Sequence, residues 1–173
     1  TLEPVLLGLL IAPSIAGAAL GLAALLAFLA RTPLRFALVD HHRGRRLPRT
    51  TVAERLAGVE VTAILVLVAL AAARADAACW PPALVAAPLV AVEVWFDARS
   101  RSRRLAPELA GAVGISAIAT MIALAGGADR GLAWGLWLVL AARAVTAIPY
   151  VRDRVRRLHG GAGTPGLLWV TDL

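Results

Sequence analysis

Apolar residues along the chain fall into six segments separated by short polar connections. They are Pro4–Ala12, Ser14–Ala30, Leu56–Ala73, Ala83–Phe96, Leu109–Ala125 and Gly131–Tyr150. A helix crossing a bilayer needs about 20 residues, within a range near 17–25. The third, fifth and sixth segments meet this directly. The first is short, and the fourth carries Pro88, which predicts a kinked or partly buried helix there. Val61–Ala73 and Leu109–Ala125 are apolar on every side, whereas a soluble bundle needs a polar stripe along each helix. The pattern therefore predicts an all-α polytopic transmembrane helical bundle of about six spans. Residues 1–158 form its helical domain, and 159–173 are a tail or the start of a further span.

Composition strengthens this reading. Apolar residues make up 60% of 173 positions and mean hydropathy is +0.76, against roughly half apolar in a soluble domain. Net charge is +7, and all 18 basic residues are arginine. The arginines have no aromatic rings interleaved among them, as a base-stacking nucleic-acid surface would need, and membrane topology explains them better. The arginines instead alternate with the spans. Fifteen lie after the second, fourth and sixth segments: Arg31, Arg35, Arg43, Arg45, Arg46, Arg49 and Arg55, then Arg99, Arg101, Arg103 and Arg104, then Arg152, Arg154, Arg156 and Arg157. Arg74 and Arg130 are the sole basic residues of the other side's connections. Basic loops concentrate on the cytoplasmic side, so the expectation is a multi-pass protein of a bacterial inner membrane with its arginine-rich loops in the cytoplasm and lipid as its principal partner. Trp80, Trp95, Trp134, Trp137 and Tyr150 stand near span ends, where lipid-facing interfacial anchors are expected. Gly17 and Gly21 are spaced for close helix packing.

Cys79 is the single cysteine, which excludes an internal disulfide and a cysteine metal cluster. No charged stretch precedes a short apolar core, so no signal peptide is read. The chain opens inside an apolar run without Met, and the expectation is that it is a fragment of a longer protein.

Ionisable groups inside a membrane are costly and each needs a reason. Glu60 lies five residues into the third segment, Glu93 four before Asp97, and Arg143 seven before Tyr150. Pairing of Arg143 with Glu60 or Glu93 would offset the cost of burying both. Glu93 and Asp97 share a helix face; with Asp40, Glu108 and the neighbouring Arg99 they would ring the inner mouth of the bundle. Such carboxylates and arginines can hold Mg²⁺ with an attached diphosphate, or they can simply be solvated partners of headgroup-binding arginines. Adjacent His41 and His42 read as a solvated loop pair. No Ser/His/Asp set, phosphate-binding glycine loop or zinc spacing is present.

Two stretches, Trp95–Gly111 (WFDARSRSRRLAPELAG) and Ala141–Arg152 (AARAVTAIPYVR), resemble hallmarks of the YwiC-like bacterial membrane proteins. The segment Arg31–Arg55, with Gly44–Thr50 (GRRLPRT), fits as well. The likeness covers about Pro4 to His159 and implies a polytopic bacterial membrane protein, without implying an activity. It also implies a His-Gly-Ala-Trp-like lead and further spans. A more distant likeness is to UbiA-type prenyltransferases, whose acidic Mg²⁺–diphosphate motifs lie in cytoplasmic loops. Asp40 ahead of Arg45–Pro48, and Asp97 through Pro107, resemble those loops, with one aspartate each where the enzymes carry several.

Two functions are thus expected. One is a non-enzymatic protein without cofactor that binds or moves a small anionic or lipidic ligand, with Glu60, Glu93 and Arg143 lining a cytoplasm-facing cavity and Asp40, Asp97 and Arg99 at its mouth. The other is a transferase acting on isoprenoid diphosphates with Mg²⁺. Whether the chain is an enzyme stays open at this point.

Overall fold

A computed structural model describes residues 2–42, 48–98 and 105–158. These form six α-helices: α1 Leu2–Ile11, α2 Ile15–His42, α3 Pro48–Ala72, α4 Pro81–Ala98, α5 Leu105–Ala125 and α6 Arg130–Leu158. A short 3₁₀ turn, Ala77–Cys79, precedes α4. Five stretches are long and apolar enough to cross a membrane, and α1 is a shorter apolar helix. Backbone amides have no water to bond in lipid, so a chain of this composition satisfies them within helices. Residues 159–173 lie outside the described residues, so the expected tail or further span is not addressed.

Local chemistry sets the ends. The Gly17 amide donates to Ser14 Oγ at 2.9 Å, and the Leu132 amide donates to Asp129 Oδ2 at 3.1 Å. Each side chain accepts from the amide three residues on, as an N-cap does. Pro48 and Pro81 open α3 and α4, where the missing N–H costs nothing. Helix α5 stops at Gly127, whose φ of 83° suits glycine. The Ala128 amide bonds the Ala123 carbonyl at 2.9 Å and the Gly127 amide bonds that of Leu124 at 3.0 Å, the pairing of a Schellman terminus.

Helix α5 is the hub, packed against α1, α2, α4 and α6, while α3 packs chiefly on α2. Its buried residues are mostly small, including Gly111, Gly114, Ala117, Ala119 and Ala123, around the fully buried Ile122. The close packing expected of Gly17 and Gly21 is borne out: added methyl carbons would stand 2.9 Å from Ile122 and 2.7 Å from Val5. Gly8 of α1 meets the same residue, its absent Cβ leaving 2.8 Å to Ile122 Cβ and 2.9 Å to the Ala119 carbonyl oxygen. Two side-chain bonds tie α6 to α5. Thr120 Oγ1 donates to the Ala133 carbonyl, and Trp137 Nε1 donates to that of Val113, each at 2.9 Å.

Three expectations need correction. The stretch Arg31–Arg55 is largely helix: α2 continues to His42, so Asp40, His41 and His42 are helical, and α3 begins at Pro48. Likewise α6 runs past Tyr150 to Leu158. Hydropathy marks where the apolar environment ends, but arginine and leucine sustain a helix beyond that point. Trp137 is a core residue, 8% exposed, because its indole N–H finds the Val113 carbonyl; Trp95 and Tyr150 are exposed as anchors would be.

Candidate functional site: ion pairs between the helices

The longest-reaching chemistry lies where α2, α4 and α5 meet. Arg31 stands near the end of the apolar stretch Ile15–Leu34, and α2 continues about 16 Å beyond it. Its Nη1 lies 2.7 Å from Glu93 Oε1 on α4. The Glu93 side chain is 21% exposed and that of Arg31 is 43% exposed. The carboxylate has this position because residue 111 on α5 is glycine. A Cβ there would collide with all three atoms of the carboxylate, standing only 2.7 Å from Oε1. Glu93 therefore sits inward on a glycine seat, with the guanidinium capping it from the more open side.

Other expected site residues are held at different seams. Asp40 is 4% exposed and accepts a 2.8 Å hydrogen bond from Thr50 Oγ1, joining α2 to α3. Arg143 pairs through Nη1 with Glu3 Oε1 of α1, which corrects the expected pairing with Glu60 or Glu93. The physical reason is topological: Glu60 rides on α3, separated from α6 by α2 and α5, and Glu93 is engaged by Arg31. Because α6 is longer than its apolar segment, Arg143 falls near its middle, 13 residues after Arg130 and 15 before Leu158. Glu60 stands 12 residues after Pro48, the first residue of α3. Its Oε2 is buried without a hydrogen-bond partner among the described residues. At the arginine-rich end, Arg152 Nη1 meets Glu108 Oε2 at 3.3 Å.

Asp97 belongs to the last turn of α4, one turn beyond Glu93 in register, and its side chain lies outside the described residues. Arg99 lies outside them altogether. Among the described residues no three His, Cys, Asp or Glu side chains form a group suited to a metal ion.

Sequence reasoning missed three contributors. Arg31 was counted only as a topology signal, although its early position, inside the reach of an apolar span, marks it as unusual. Glu3 was overlooked, although an acid in the apolar run Leu2–Ile11 calls for a partner by the same logic that singled out Arg143. Gly111 carries no such signal, since its role depends on which helix faces it.

The apolar helices, their small-residue hub and the ion pairs between helices define a polytopic α-helical integral membrane protein. Residues 1–123 match the family model described as YwiC-like protein, and the chain belongs to the YwiC-like family. No curated protein and no solved structure matches it.

Proposed function

We propose that this protein binds or moves a small anionic or lipidic ligand at the arginine-rich end of its bundle, and that this end faces the cytoplasm of a bacterium. The observation that carries the reading is Arg31. Although paired with Glu93, Arg31 keeps 43% of its side chain exposed near the end of an apolar span, where a guanidinium can reach the polar interface. Its planar fork matches phosphate oxygens, and the arginines that follow the second, fourth and sixth apolar segments would draw anions towards it. The orientation follows from the same alternation, through the cytoplasmic preference of basic connections.

The test is titration of the purified protein in detergent with inorganic diphosphate and with an isoprenoid diphosphate, with Mg²⁺ and with a chelator, beside Arg31→Gln. Binding that survives chelation and weakens about tenfold in Arg31→Gln, corresponding to about 1.4 kcal/mol, is the expected result. Binding that requires Mg²⁺ and disappears in Asp97→Asn supports a transferase on isoprenoid diphosphates instead. No binding in any condition overturns both.

A further inference from the structure

We infer, building on the binding function proposed above, that Glu93 is a built-in competitor for Arg31 and thereby sets which anions the site accepts. Glu93 and Arg31 come from different helices, and their 2.7 Å contact bridges α4 and α2, which otherwise touch sparsely. The carboxylate is the inner partner, seated where Gly111 has no side chain. The guanidinium is the outer partner, with 43% of its side chain exposed. An anion arriving from the open side must use the fork that already serves Glu93, or approach it against the charge of that carboxylate. Two anions on one arginine repel, and the repulsion is only partly screened near an apolar wall.

The consequence is selectivity by charge density. A phosphodiester carries one negative charge and meets the least repulsion from Glu93. A terminal phosphate or diphosphate carries more charge and three or more acceptor oxygens, so it forms the stronger charge-assisted fork. The penalty that Glu93 imposes therefore grows with the charge of the ligand and falls hardest on molecules ending in phosphate or diphosphate. Glycine at position 111 belongs to the same device, because it lets the competitor sit deep enough to stay within reach of Arg31.

Calorimetric titration of the full chain in detergent tests this, with inorganic diphosphate in one arm and short-chain phosphatidylglycerol in the other. The wild-type protein is expected to prefer diphosphate. Glu93→Gln keeps the shape and removes the charge; it is expected to tighten both ligands and to widen the preference for diphosphate roughly fivefold, equivalent to about 1 kcal/mol. Gly111→Ala, which evicts the carboxylate by a different route, is expected to act in the same direction; a melting curve identifies folded variants, and Glu93→Gln stands alone if Gly111→Ala fails to fold. Weaker diphosphate binding in Glu93→Gln, or an unchanged preference, overturns the competitor role while leaving the binding function standing. Absence of wild-type binding to either ligand overturns the binding function itself.

Discussion

Helices α3 and α5 make the most instructive contrast in the molecule. Both are long and almost equally apolar. Yet about half of the α5 span is buried inside the protein and only 11% of that of α3. Hydropathy cannot separate them, because lipid is as good a solvent for leucine as another helix is. Side-chain size does. Helix α5 turns glycine, alanine, serine and threonine towards its neighbours, so backbones approach closely and dispersion contacts accumulate. Helix α3 displays Val59, Leu65, Val66 and Leu70 outwards, which suits lipid chains. In this protein small residues mark the helix that organises the others, and bulky aliphatic ones mark the helix that borders the membrane.

The sharpest way to break this contrast is a single methyl group placed in each setting. Gly8→Ala drives a Cβ against Ile122 and the α5 backbone, and overpacking of this kind costs about 1–3 kcal/mol. Gly58→Ala on α3 meets nothing within 4 Å and should instead be neutral or gain about 0.5–1 kcal/mol from helix propensity. Thermal unfolding in one detergent, followed by circular dichroism, compares the two; equal losses would refute the hub assignment.

A smaller effect tests the link between α1 and α6. Arg143→Gln and Glu3→Gln should each lower stability by about 1 kcal/mol, and the double variant by less than their sum, since neighbours in one ion pair are not additive. Strict additivity in that double-mutant cycle would mean that the pair contributes nothing. The smallest expected change is at Glu60. Its unpartnered buried oxygen makes Glu60→Leu neutral or stabilising by about 0.5 kcal/mol, because an apolar side chain removes a polar atom that lacks compensation. A clear loss of stability would show that the carboxylate has a partner in the membrane-embedded protein.

Much of the architecture was legible in the residues. Each predicted apolar segment lies within, or overlaps almost wholly, a helix, and Gly17 and Gly21 pack as their spacing suggested. Helix ends were less legible: Asp40 and Arg152 are on helices that outrun their apolar segments. The candidate site was legible only by type. Glu93 and Arg143 were singled out because charges in apolar spans need partners, but the partners themselves, Arg31 and Glu3, depend on neighbour relations between helices.

The sequence by itself determined that this chain lives in a membrane, where its spans lie and that its arginines gather after alternate spans. Those properties are sums over consecutive residues, set by the transfer of side chains between water and lipid. Only the tertiary structure decided that α5 is the centre, that Glu93 faces Gly111 and Arg31, and that Arg143 reaches Glu3 instead of Glu60. These depend on which helix faces lie against each other, and that is settled by close-packing and by the pairing of charges across seams that no single segment contains.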